Sequence, residues 1–126
     1  MNRDKHGIVA QLSTYLPERC GIASWIRDLV HYSRKLQPEL KQSIIAVNQT
    51  KRIEDYSSHV SSCFDRNHHH KYFELACEIN ADPNIKMLSI QHEFGIFGGQ
   101  GGSYLLNMLE EVKKKKLLTL HTIITR

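Results

Sequence analysis

The chain has 126 residues and a formal net charge of +4, with 40% hydrophobic and 24% charged residues. This length and composition favour a single globular domain and exclude a disordered tail. No apolar run approaches the roughly 20 residues that span a bilayer, and the opening MNRDKHGIVAQ lacks the apolar stretch of a signal peptide. We therefore expect a cytoplasmic protein.

The cysteines indicate the redox state of the protein, and the lysines bear on its possible partners. The three cysteines follow no CxxC spacing, which favours reduced thiols over a disulfide framework or a zinc ribbon. Much of the positive charge lies in KKKK, residues 113–116, which we predict at the end of a helix, where cations interact favourably with the helix dipole. The alternative is a patch for nucleic acid or membrane. Because no aromatic residues interleave with the lysines, we expect no nucleic-acid partner.

Hydrophobic periodicity predicts five strands and three helices along the chain. The predicted strands cover residues 6–14, 43–49, 58–64, 85–93 and 117–124. The predicted helices run from Ile22 to before Pro38, from Tyr72 to before Asp82, and from near Ser103 to Val112. Strands that alternate with helices predict an α/β fold with a parallel sheet and crossover connections.

Three segments at strand ends are candidates for a ligand site. They are PERCGIAS after the first strand, QHEFGIFGGQGG after the fourth and LHTI at the fifth. Open α/β sheets bind ligands at the carboxyl ends of their strands, where the strand order reverses. With the strand order 3-2-1-4-5, these three segments would meet in one cleft.

The last residues, TIITR, follow the fifth predicted strand without a closing helix. A doubly wound sheet carries helices on both of its faces. We therefore expect uncovered apolar surface, self-association through that surface and a longer parent protein.

The segment PERCGIAS leads from the first strand into the first helix. Backbone N–H groups at a helix N-terminus attract anions, so Cys20, Gly21 and Ile22 are candidate contacts for a phosphate group. One glycine matches neither the dinucleotide fingerprint nor the P-loop. The alternative is a plain tight turn with Cys20 as a small buried residue. A nucleophilic role for Cys20 is disfavoured because no partner base can be named.

Five of the seven glycines lie within residues 91–102. Glycine loses much conformational entropy on folding, and it is favoured where φ is positive or another group approaches the backbone. A mobile surface loop is one interpretation and a cradle for a ligand is the other. The adjacent His92 and Glu93 favour the cradle, because a carboxylate beside an imidazole suits hydroxyl recognition or proton transfer. Gly95, Gly98 and Gly99 are then candidate contacts.

The remaining histidines have competing interpretations. His121 follows the apolar run KLLTL and is either a ligand contact or a hydrogen-bonded structural residue. The triplet at 68–70 lies in a polar stretch before a helix, and adjacent positions do not converge on one metal ion. The His92–Glu93 pair lacks the second histidine of HExxH. We therefore expect no metal site.

Together the three segments resemble the N-terminal half of GT-B glycosyltransferases, specifically the retaining family 4. STYLPERCGIASWIRDL is similar to that family's opening strand, loop and helix. LSIQHEFGIFGGQGGSYLLNML is similar to its fourth-strand end, and LLTLHTII to the next strand with its active-site histidine. The resemblance implies an incomplete, Rossmann-like, acceptor-side domain over residues 1–126.

The resemblance implies an enzyme that transfers a sugar from a nucleotide-sugar donor to an acceptor hydroxyl, with retention and without a metal or other cofactor. Cys20, Gly21 and Ile22 would then face the donor diphosphate, and His121 would contact the donor sugar. The remaining candidates would form the cleft wall on the substrate side: His92, Glu93, Gly95, Gly98 and Gly99.

The family's C-terminal domain, with its basic diphosphate contacts and its ExxxxxxxE motif, is absent from these 126 residues. Because a leaving diphosphate is stabilised mostly by electrostatics, we expect the chain alone to be inactive. The alternative is a non-catalytic α/β binding or interaction module. A receiver domain is disfavoured because STYLPE supplies only Glu18 as an acidic residue.

Overall fold

The computed structural model describes residues 7–49 and 56–123. Its elements are β1 (Ile8–Ser13), α1 (Gly21–Leu36), β2 (Lys41–Asn48), β3 (Val60–Asp65), α2 (His69–Ala81), β4 (Ile85–His92), a 3-10 turn (Gln100–Gly102), α3 (Tyr104–Glu111) and β5 (Lys115–Leu120). The predicted order of strands and helices is confirmed. Residues 6 and 124, at the ends of two predicted strands, lie outside the described residues.

The strands form one parallel sheet in the order β3-β2-β1-β4-β5. This arrangement confirms the α/β fold, a Rossmann-like parallel sheet with flanking helices, and its strand order is the one with which the three candidate segments would meet. Strands β2 and β3 lie on one side of β1, whereas β4 and β5 lie on its other side. The strand order therefore reverses between β1 and β4. The carboxyl ends of β1 and β4 therefore mark the switch point at which such sheets bind ligands.

The two faces of the sheet differ in composition. Beneath α2 and α3 lies an apolar core that includes Leu12 of β1 and Ile90 of β4, both fully buried. Beneath α1 lies a smaller cluster built around Ile26 and Val30. Side chains alternate across a strand, so the neighbours of these apolar strand residues face α1. In β1 and β4 those neighbours are polar and buried: Gln11, Ser13, Ser89 and Gln91.

The lysine run departs from its predicted position. Helix α3 ends at Glu111 and β5 begins at Lys115, so the prediction of a helix terminus is wrong for Lys115 and Lys116. Lys114 Nζ instead donates hydrogen bonds to the carbonyl oxygens of Asp82, at 2.9 Å, and of Ile85, at 3.0 Å. The edge strand β5 accommodates lysine because the long aliphatic part of a lysine side chain covers apolar surface while its ammonium group stays in water.

Two further boundaries differ from those predicted. His69 and His70 are the first residues of α2, not part of a polar stretch before it. Strand β5 ends at Leu120, so His121 follows the strand instead of lying within it. Strand β5 pairs with β4 on one side, and its Leu117, Leu118 and Leu120 are 45–52% exposed. This is uncovered apolar surface of the kind we expected, and self-association through it stays a prediction.

Candidate functional site

A cleft of about 490 Å³ lies at the carboxyl ends of β1, β4 and β5. Residues from all three predicted segments line it. Six of the nine candidates from the sequence meet here: Cys20, Gly21, Ile22, Glu93, Gly95 and His121. The convergence predicted from the strand order is therefore present.

One wall of the cleft is the N-terminus of α1. Cys20 precedes the helix in an extended conformation, and its Sγ accepts a hydrogen bond from Ala23 N at 3.4 Å. The thiol also lies 3.0 Å from Thr14 Oγ1. Cys20 is exposed, so the alternative of a small buried residue is wrong. Its side chain acts instead as the cap that serine or aspartate commonly provides.

The first two residues of α1, Gly21 and Ile22, line the cleft. A helix leaves its first N–H groups without partners inside the helix. Among residues 7–49 and 56–123, the N–H groups of Gly21 and Ile22 have no hydrogen-bond acceptor. A Cβ added to Gly21 would have no atom within 4 Å. The backbone here can therefore be approached closely, with the positive end of the helix dipole behind it.

His121 lies opposite this helix terminus, one residue after β5. Its Nε2 is 2.9 Å from Gln91 Oε1, and its ring meets the edge of Trp25 with centroids 4.8 Å apart. Its backbone N–H donates to the carbonyl oxygen of His92 at 2.9 Å, which extends the β4–β5 pairing by one residue. The contacts with Gln91 and Trp25 thus orient the imidazole, and the backbone hydrogen bond fixes the position of the residue.

Glu93 and His92 separate although they are adjacent in sequence. Glu93 lines the cleft and accepts a hydrogen bond from the hydroxyl of Thr122. The His92 ring instead lies among aromatic rings, with its centroid 6.2 Å from that of Phe97 and 5.6 Å from that of Phe94. Its Nδ1 is buried and has no partner within the described part of the chain. The pair does not act on one ligand atom in this arrangement.

The candidate glycines divide in the same way. Gly95 has φ +87 and lines the cleft, with nothing within 4 Å of an added Cβ. A Cβ on Gly98 would lie 2.0 Å from the carbonyl oxygen of Arg66, and one on Gly99 would lie 2.6 Å from the ring of Tyr104. Gly98 and Gly99 are therefore required for packing, and they do not line the cleft.

Sequence reasoning missed several residues of the cleft. Thr14, Trp25, Gln49, Phe94 and Ile96 also line it. Thr14 and Phe94 could have been found, because Thr14 is the last residue of the first predicted strand and Phe94 directly follows the fourth. Trp25 shares the helical spacing of the apolar residues of α1, which gave no sign of a cleft residue, and it is 41% exposed. Gln49 reaches the cleft by donating to the carbonyl oxygen of Ile96 at 2.9 Å, a contact between residues 47 positions apart.

Charge in the cleft is sparse. Among its described lining residues, Glu93 is the one carboxylate, and no lysine or arginine occurs. Within residues 7–49 and 56–123, no three histidine, cysteine, aspartate or glutamate side chains are grouped to hold a metal ion. The expectation that the protein needs no metal stays a prediction.

The buried Tyr72 and the half-buried Tyr56 hold segments near the cleft. Tyr72 donates to the carbonyl oxygen of Arg66 at 2.8 Å and accepts from Gly98 N at 3.1 Å. Burial raises the pKa of Tyr72, against the opposing effects of the Gly98 N–H and the Arg66 guanidinium. Burial also raises the pKa of Tyr56, with the Glu18 carboxylate as the second cause. Both hydroxyls therefore stay neutral donors well above physiological pH.

Comparison of the chain with protein-family models, curated proteins and solved structures gives no match. In the described part of the chain, no helix combines the length and the apolar character that crossing a bilayer requires.

Proposed function

We propose that this chain is the acceptor-side domain of a retaining GT-B glycosyltransferase, which moves a sugar from a nucleotide-sugar donor to an acceptor hydroxyl. The observation that carries the proposal is the meeting of the α1 N-terminus, Glu93 and His121 in one cleft. An anion site, a carboxylate and an imidazole are the groups that a donor diphosphate and sugar hydroxyls require.

The start of α1 would bind the donor diphosphate. The unpartnered N–H groups of Gly21 and Ile22 point their partial positive charge toward a bound anion. Gly21 leaves room for an oxygen to reach the backbone, since no atom lies within 4 Å of the position of its missing Cβ. His121 would contact the donor sugar, and Glu93 an acceptor hydroxyl after release from Thr122.

The chain by itself would bind more readily than it would react. A departing nucleoside diphosphate carries charge that must be stabilised in the transition state. The described lining residues of the cleft include no lysine or arginine to do so. In this proposal a second domain supplies those cations, and transfer activity requires it.

Isothermal titration calorimetry with UDP-glucose and GDP-mannose tests the proposal. We expect one of the two donors to bind weakly, and Gly21→Ala to abolish that binding because the new methyl group occupies the approach to the helix terminus. Folding should persist, since alanine is the better helix former by about 1 kcal/mol. Gly101→Ala is the control for an added methyl group outside the cleft; its positive φ of +64 makes it the more destabilising variant, by about 1–2 kcal/mol, yet it should keep the binding that Gly21→Ala loses.

A non-catalytic interaction module is the second candidate, favoured by the exposed leucines of β5. Light scattering over a range of protein concentrations separates the two candidates. Absence of heat with either nucleotide-sugar, together with a concentration-dependent dimer, would overturn the glycosyltransferase proposal. A nucleotide-sugar complex that Gly21→Ala removes would instead count against the module.

A further inference from the structure

A chain of amide side chains crosses the sheet beneath α1. Gln91 of β4 donates to Gln11 Oε1 at 3.1 Å, and Gln11 of β1 donates to Gln42 Oε1 at 3.0 Å. Gln42 of β2 donates to Ser33 Oγ of α1 at 2.6 Å. Gln91 and Gln11 are 1% and 4% exposed, so water is not available to satisfy their polar atoms.

Ser33 fixes which way each hydrogen bond in this row of side chains points, from donor to acceptor. Its hydroxyl lies 2.7 Å from the carbonyl oxygen of Leu29, which can only accept a hydrogen bond. The hydroxyl hydrogen is therefore used, and Ser33 Oγ can only accept from Gln42. The Gln42 NH₂ group must face Ser33, which leaves Gln42 Oε1 to face Gln11. The same reasoning orients Gln11 and then Gln91.

At the other end the chain meets His121. With its NH₂ group turned toward Gln11, Gln91 presents Oε1 to His121 Nε2 at 2.9 Å. A carbonyl oxygen can only accept, so Nε2 must carry the hydrogen. We propose that the Gln91–Gln11–Gln42–Ser33 chain holds His121 in its Nε2–H tautomer and thereby makes Nδ1 a hydrogen-bond acceptor in the cleft.

The inference deepens the proposed function and rests on it for the identity of the ligand. Among the described residues, Nδ1 of His121 has no hydrogen-bond partner. A neutral Nδ1 accepts from a sugar hydroxyl, whereas the opposite tautomer would require an acceptor on the ligand. Gln91 is thus a positioning residue that acts through His121. Gln11, Gln42 and Ser33 act through Gln91 and select ligands that donate a hydroxyl hydrogen at this point.

Gln42 offers a test away from the imidazole. It is half-buried, and two other amides separate it from His121. In Gln42→Lys the side chain can only donate, so Gln11 and then Gln91 should turn over, and Gln91 should offer its NH₂ group to His121. In Gln42→Glu the carboxylate still accepts from Gln11, and the orientation should be kept. The two variants differ in the sign of their charge but test one property, the direction of the hydrogen bonds between the amide side chains.

The measurement is ¹⁵N NMR of the His121 ring in the ligand-free protein at about pH 8.5, well above the ordinary imidazole pKa of about 6.5. We expect a single Nε2–H tautomer in the wild type and in Gln42→Glu, and an inverted ratio in Gln42→Lys. Gln42→Arg repeats the test if the lysine variant fails to fold, since a guanidinium group also can only donate.

A mixture of tautomers in the wild type would overturn the proposal. So would identical ring spectra in Gln42→Glu and in the folded lysine or arginine variant. The tautomer is measured without a ligand, so this result is independent of whether a nucleotide-sugar binds. If the tautomer behaves as expected and neither donor binds, the positioning chain stands and the glycosyltransferase proposal fails.

Discussion

The two halves of the glycine-rich segment use glycine for different physical reasons. In the first half, Gly95 adopts a positive φ beside the cleft and leaves open space where a side chain would be. In the second half, Gly98 is buried and its backbone packs directly on the carbonyl group of Arg66. A ligand could use the first kind of space, whereas protein atoms already occupy the second.

Tyr72 accounts for much of this difference. Its hydroxyl lies between Gly98 N and the carbonyl oxygen of Arg66, and so joins the glycine segment to the turn after β3. Among residues 7–49 and 56–123, no side chain makes a hydrogen bond to the backbone of Gly95, which lies at the cleft two residues after Glu93. A glycine-rich sequence therefore contains a structural anchor and an accessible wall only a few residues apart.

The largest expected effect is that of Gly98→Ala. The new Cβ would lie 2.0 Å from a backbone oxygen that cannot move without disturbing the turn after β3. We expect a loss of about 3 kcal/mol or more in the free energy of unfolding, measured by urea denaturation. A loss below about 1 kcal/mol would contradict the packing role assigned to Gly98.

Tyr72→Phe should have the next largest effect. It removes the hydroxyl that accepts from Gly98 N and donates to Arg66 O, and it leaves the buried Gly98 N–H and the partly buried Arg66 carbonyl without this partner. We expect a loss of about 1–3 kcal/mol in the free energy of unfolding. An unchanged midpoint in urea would show that the tyrosine does not anchor the segment.

The pH dependence of stability provides the control for Tyr72. Because its pKa is raised in the folded state, its contribution is fully present below the ordinary tyrosine pKa of about 10 and is lost as the pH rises through the folded value. The wild type should therefore lose stability in alkaline solution, and Tyr72→Phe should lose less. Some loss should persist in the variant, since burial also raises the pKa of Tyr56.

The smallest expected effect on stability is that of Gly95→Ala. The methyl group meets no atom, and its cost of about 1–2 kcal/mol comes from the positive φ alone. Nucleotide-sugar binding, in contrast, should fall sharply if the ligand packs on this wall. Equal destabilisation by Gly95→Ala and Gly98→Ala would remove the distinction between the two halves.

Much of the fold could be predicted because it depends on local signals. Ile22, Ile26 and Val30 recur at helical spacing and are all buried residues of α1. Apart from β2 and β3, successive described strands are separated by a helix, which favours crossover connections and the parallel sheet that is observed. The start of β5 was predicted two residues too late, because lysines suit a helix terminus and an edge strand equally well.

The composition of the cleft was only partly predictable. The segments at the ends of the first, fourth and fifth strands gave Gly21, Glu93, Gly95 and His121 as candidates. Parallel strands bring their carboxyl ends to one edge of the sheet, and these four residues do line the cleft there. The alternation of glutamine and serine with apolar residues in β1 and β4 was visible in the sequence. The hydrogen bonds between these buried side chains were not, because the contact between Gln11 and Gln91 joins residues 80 positions apart.

The sequence by itself determined the elements, their order and the edge of the sheet at which the candidate residues gather, since periodicity and chain connectivity are local properties. Only the tertiary structure decided which of those residues share the cleft. It turned His92 toward Phe97, packed Gly98 on Arg66 and connected His121 through Gln91 to the far side of the sheet. Those outcomes depend on packing and hydrogen bonding between distant segments, which neither propensity nor spacing encodes.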